Sequence, residues 1–177
     1  MKLGSLKEGG RDGTLVVVSE DLTRAIRVPD IAPTLQAALE DWDNLEPELR
    51  AICRLLNQGD ERDAFAFDPA AMAAPLPRAY QWADASAYLN HVDLVRRSRG
   101  ATMPPSFLED PLMYQGGSDH FLGPRDDIPV ASEDYGIDFE AEIAAIVTDV
   151  PMGADAGRCA DAIVLVMLVN DVSLRGL

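Results

Sequence analysis

Cysteine and histidine are scarce in this chain, with two of each in 177 residues. Cys53 and Cys159 lie far apart and form no zinc-type spacing, so a reduced protein explains them more simply than a disulfide does. Positive charge is also short. Fifteen Lys and Arg face 30 Asp and Glu, for a formal net charge of −15. That balance argues against nucleic acid, whose phosphates must be met by Lys and Arg, and against an anionic membrane surface. Long apolar runs are missing too. The longest, Ala162 to Val169, falls far short of the ~20 residues that a spanning helix needs. The N-terminal Met1-Lys2-Leu3-Gly4-Ser5 has no apolar stretch of the secretory kind, so a cytoplasmic location is expected. No nucleophile elbow, phosphate-binding glycine loop or dinucleotide fingerprint occurs.

What is present reads as a soluble α+β chain. Hydrophobic residues make up 47% and charged residues 25%, ordinary values for a globular protein. Leu3 to Leu6, Thr14 to Val18 and Ala25 to Val28 are short strand candidates, punctuated by glycine and aspartate turns. Pro33-Thr34 opens a helix with Leu35, Ala38, Leu39 and Trp42 at helical spacing. A second helix is expected from about Pro47 to Leu56, closed by residues 57–59. Prolines then favour an extended connector or edge strand over residues 60–80. A boundary near residue 70 divides a small β-rich N-terminal domain with helices, 1–70, from a second unit, 71–177. In that unit Ser86 to Arg99 suggests a helix, Ile137 to Val147 a strand, and Ala154 to Ala162 a short helix. Val164 to Val169 reads as a buried strand running into the polar hexapeptide Asn170 to Arg175.

The strand Gly136 to Ile143 carries the strongest chemical signal. Alternation places Asp138, Glu140 and Glu142 on one face, and Ile137, Phe139, Ala141 and Ile143 on the other. Adjacent carboxylates repel, and a hard divalent cation would relieve the repulsion. The segment is either such a metal-binding face or the solvated edge of an acidic protein. Asp84 and Asp171 also border apolar segments, where acids are rarely buried unpaired. His91 is a candidate general base or a structural hydrogen-bonder, and His120 is read as structural. Tyr114 is either a substrate contact or a loop tyrosine packed on glycine. Arg175 either pairs with Asp171 or holds a substrate carboxylate through its planar fork.

Asp84-x6-His91, Met103-Pro104, Tyr114-x-Gly116, Asp138-x-Glu140-x-Glu142 and Asn170-Asp171-x-Ser173-x-Arg175 occur in this order. Together they resemble the fumarylacetoacetate hydrolase family, over roughly residues 70–177. The resemblance implies a partial mixed β-roll domain of the fumarylacetoacetase type. Asp84, Glu140, Glu142 and Asp171 would be ligands of a divalent metal, Mg²⁺ first, with Ca²⁺ or Mn²⁺ as alternatives. His91 would activate water, while Tyr114 and Arg175 would contact a small diketo acid substrate. One of Arg96, Arg97 and Arg99 would match a further substrate arginine. The implied reaction is hydrolytic carbon–carbon cleavage of a β-diketo acid by a full-length homodimer. The alternatives are a 2-oxo acid hydratase or decarboxylase on the same scaffold, or an inactive metal-binding fragment. Ser86 stands where the family has a tyrosine, which bears on substrate identity. The family pattern continues beyond Arg175, so the chain reads as the first half of such an enzyme, with little activity expected from it alone.

Overall fold

The computed structural model describes residues 1–110 and 112–177. It is an α+β arrangement in which a four-stranded antiparallel sheet comes first. Strands β1 (Lys2–Leu6), β2 (Thr14–Val18), β3 (Arg24–Arg27) and β4 (Phe65–Ala66) lie in the order β1-β2-β3-β4. β4 is the short edge strand that the proline-rich connector suggested, pairing Ala66 with Arg24 and Phe65 with Ala25. Alternation along β2 sends Leu15 and Val17 to one face and Val16 and Val18 to the other, and all four are buried. The strand is therefore covered on both sides.

Two helices cover the first face. In α1 (Leu35–Glu40) the Thr34 hydroxyl accepts a hydrogen bond from the Ala37 N–H at 3.0 Å, satisfying one of the free donors of the first turn. α2 runs over Trp42–Gln58 and so begins a turn earlier than expected. Pro47 lies inside it at the sixth helical position, where the ring leaves the Asp43 carbonyl without its usual intrahelical donor. Gly59 closes α2 with φ at +86°, a conformation that glycine adopts without a Cβ penalty. Leu15, Val17, Ile26, Leu35, Ala38, Trp42, Leu49, Cys53 and Leu56 form the core between sheet and helices. On the opposite face Met72 seals Leu6, Val16, Val18 and Ala25, flanked by Phe65 and Phe67.

Beyond residue 80 the elements are thinner. β5 (Ala83–Ala85) pairs with β6 (Met113–Gln115) as a two-stranded sheet. α3 spans Leu89–Ser98 and starts later than expected, because the Ser86 N–H is already bonded to the Leu112 carbonyl. β7 (Ile137–Val147) and β8 (Ile163–Leu174) form a long antiparallel ribbon, with α4 (Ala156–Asp161) just before β8. Two expectations are corrected here. β8 does not stop at Val169 but continues through the polar hexapeptide to Leu174, since β7 offers it a ladder along its whole length. Nor is β8 buried: Val166 is 70% and Leu168 83% exposed. Ile146, Val164 and Leu165, near the far end of the ribbon, pack on the first core. The Lys7–Asp126 ion pair adds a second tie between the regions.

Candidate metal centre

The ribbon's register builds the site. Glu140 stands directly opposite Asp171, so their side chains share a face, and Glu142 lies two residues along on that same face. One carboxylate oxygen from each of the three falls within 4.8 Å of the others. Oxygens on opposite sides of a hard cation lie about 4–5 Å apart, so this spread suits Mg²⁺ or Ca²⁺. The carboxylates occupy the sheltered face. Asp138, Glu140 and Glu142 are half-buried, whereas Ile137, Phe139, Ala141 and Ile143 point to solvent. Of the two readings of this strand, the solvated acidic edge is therefore the one the burial pattern disfavours.

Other elements bring further groups to the cluster. β5 and β6 set Asp84 directly opposite Tyr114. Burial holds the Glu142 carboxyl above its ordinary pKa, reinforced by the charges of Asp84 and Asp171 and opposed by His91. Burial likewise raises Asp171, with Asp84 adding to the effect and His91 opposing it. The Tyr114 hydroxyl is raised too, first by burial and then by Asp171, Asp84 and Glu142. Three acids, Asp84, Glu142 and Asp171, thus lie close enough to one another and to the Tyr114 phenol for their charges to interact. His91, in the first turn of α3, places Nε2 3.5 Å from Glu140 Oε1.

Glu140 is the centre of this arrangement. Its side chain is only 10% exposed. Its Oε1 lies beside both the Arg175 guanidinium and His91 Nε2. Apart from these charged neighbours it accepts no hydrogen bond. Glu140 is thus ion-paired with Arg175, and what points to a divalent cation is the convergence of its carboxylate with those of Glu142 and Asp171. Arg175 departs from one sequence reading. It does not pair with Asp171; its Nε donates to Asp138 Oδ2 at 3.0 Å, and the fork continues to Glu140. The reason is the register. Asp138 faces Ser173, next to the strand end that carries Arg175.

Among the three arginines of α3 and its end, Arg97 is paired with Asp93 and Arg96 donates to the Thr102 carbonyl at 3.3 Å. Sequence reasoning passed over Trp82. Its ring meets Tyr114 edge-on at 5.5 Å and lies where a Cβ on Gly116 would stand. The available signal was Trp82 two residues before Asp84, together with the side-chain-free Gly116-Gly117 pair after Tyr114. A groove of about 380 Å³ near the start of β7 is lined by Ile128, Val130, Ile137, Phe139 and Val172 together with Glu133, Asp138 and Asn170. It is not where the acids converge.

Two family models match the chain. Residues 1–78 match the one described as fumarylacetoacetase N-terminal domain 2. Residues 81–177 match the one described as fumarylacetoacetate (FAA) hydrolase C-terminal. No curated protein matched.

Proposed function

The chain belongs to the fumarylacetoacetate hydrolase family, and from that premise we propose a metal-dependent hydrolase that cleaves a carbon–carbon bond in a β-diketo acid. The observation that carries the metal is the convergence of Glu140, Glu142 and Asp171 on the sheltered face of the ribbon, one carboxylate oxygen of each within 4.8 Å of the others. Glu140, Glu142 and Asp171 would hold a divalent ion, Mg²⁺ by preference, with Asp84 supplying the fourth carboxylate. When bound, such an ion supplies positive charge that polarises a carbonyl and stabilises an enolate leaving group.

The remaining steps fall to the chain's own residues. His91 Nε2 takes the proton from the water that attacks the carbonyl, a role suited to a side chain whose ordinary pKa is near neutrality. The Tyr114 hydroxyl, protonated at neutral pH like any phenol, donates a hydrogen bond to a substrate oxygen. Trp82 against its ring fixes the direction of that hydroxyl. Arg175 offers a guanidinium fork suited to the substrate carboxylate. His91 is partly exposed, which leaves water a path to the base.

Two measurements test this. Thermal unfolding is followed while Mg²⁺, Mn²⁺ or Ca²⁺ is added to the wild type and to Glu140→Gln. At a hundredfold excess over Kd a bound ion stabilises by about 2.7 kcal/mol, and the variant is expected to lose most of that gain. An equal response in the variant would remove Glu140 from the site. The metal-loaded protein is then assayed for diketone cleavage and for hydration or decarboxylation of 2-oxo acids. Hydration or decarboxylation without cleavage would replace the first reading by the second.

A further inference from the structure

Glu140 poses a problem that the proposed metal site does not solve by itself. A carboxylate with 10% of its side chain exposed costs several kcal/mol unless a cation stands against it. The protein must also exist before an ion arrives. Resting on the metal-site reading above, we infer that Arg175 is the resident counter-cation of the metal-free site. It holds Glu140 through the oxygen that the ion would take, so that ion and guanidinium compete for Oε1.

Three observations meet at this point. Arg175 is fixed at the ribbon end, where its N–H donates to the Gly136 carbonyl at 2.9 Å. Its side chain lies across the acidic face, with Nε on Asp138 Oδ2 at 3.0 Å and Nη2 on Glu140 Oε1. The oxygen it touches is the one that otherwise has no hydrogen bond. His91 Nε2, also near that oxygen, carries charge only when protonated, so the permanent positive charge comes from Arg175. Asp138, set beside the cluster by the register, is the anchor that keeps the guanidinium in place when Nη2 is displaced. The arrangement keeps the metal-free ribbon from being forced open by its own carboxylates. It also lowers metal affinity, because each ion bound must displace a cation. Linkage makes the effect reciprocal: whatever the Arg175–Glu140 contact contributes to the metal-free fold is subtracted from metal binding.

The test is calorimetric titration of Mn²⁺ and Mg²⁺ into the 177-residue chain, with metal-free thermal unfolding alongside. Wild type is compared with Arg175→Met, Arg175→Lys and the charge-matched control Arg97→Met. Arg175→Met is expected to tighten metal binding about fivefold or more and to lower the metal-free Tm. Arg175→Lys keeps the charge but loses the fork and falls between, and it carries the test if the Met variant does not fold. Arg97→Met removes an equal charge already paired with Asp93, and affinity should not change. Metal bound by wild type but equally or more weakly by both Arg175 variants would overturn the counter-cation and leave the metal site standing. An equal gain in Arg97→Met would reduce the effect to net charge and overturn it as well. A wild type that takes up neither ion would remove the metal-site reading, and this inference with it.

Discussion

The N-terminal sheet and the β7–β8 ribbon use the same alternation of strand side chains to opposite ends. In β2 both faces are apolar and both are covered, so Leu15, Val16 and Val17 are fully buried. In β7 the faces differ in kind: acids lie on the sheltered side, while Phe139 at 69% and Ile143 at 63% exposure face outward. The buried apolar residues are concentrated before residue 75, and beyond it only Pro77, Val92, Phe107 and Ala162 join them among the described residues. The first region is held by desolvated hydrocarbon, which is indifferent to ions. The second is held by a backbone ladder and by compensation of charge, which an ion or an arginine can change. The proposed metal site therefore lies where the packing is thin, and a site proposed to exchange a cation cannot be sealed as β2 is sealed.

The comparison breaks most easily in the core. Leu15→Ala is expected to cost about 2–5 kcal/mol, the usual range for deleting a fully buried leucine. Leu168→Ala removes the same atoms from a side chain 83% exposed and should stay within about 0.5 kcal/mol. Urea unfolding followed by far-UV circular dichroism gives both numbers. Similar losses at the two leucines would mean that the ribbon's outer face is covered in solution and that the contrast is false.

Much of this organisation was legible beforehand, for identifiable reasons. The β2 and α1 positions follow from periodicity, because their neighbours agree with it: Thr34 caps, and Leu35 and Ala38 recur on one face. The segregation of acids on β7 was legible from spacing two alone. Which face would be sheltered was not, because alternation is symmetric and the choice is made by what packs on the strand. The length of β8 was hidden for a related reason. Asn170 to Arg175 is polar and does not resemble a strand, yet β7 supplies ladder partners out to Leu174. The partner of Arg175 depended on register in the same way. Proximity in sequence favoured Asp171, whereas the pairing of Asp138 with Ser173 brought a different acid within reach. Residue types pointed to the chemistry, and only the pairing of strands distant in sequence decided the contacts.

A second change probes the intermediate case, the small β5–β6 sheet that carries Asp84 and Tyr114. A Cβ on Gly116 would come within 1.9 Å and 2.1 Å of two Trp82 ring carbons, so the indole must move. Gly116→Ala is expected to cost about 1–3 kcal/mol, as overpacking usually does, and to shift the Trp82 emission. Metal affinity should fall with it, because Asp84 and Tyr114 share the two strands that the indole braces. Stability lost with metal affinity kept would show that this sheet behaves like the first region, as packing alone.

The smallest expected effect lies on the tie between the regions. The Asp126 carboxyl is held below its ordinary range, first by Lys7 and then by the Gly123 N–H that it accepts at 2.8 Å. A lowered carboxylate pKa favours the folded state above the ordinary aspartate value of 3.8, and the advantage is lost as pH falls through the lowered folded value. Lys7→Met should therefore destabilise slightly at neutral pH, and its difference from wild type should close in acid below that value. Salt should close it as well, since both side chains reach solvent. If the difference persists at low pH and in high salt, the Lys7 stem rather than its charge is responsible. The regions would then be joined by packing, and the ionic character assigned to the second would stop at the ribbon's acidic face.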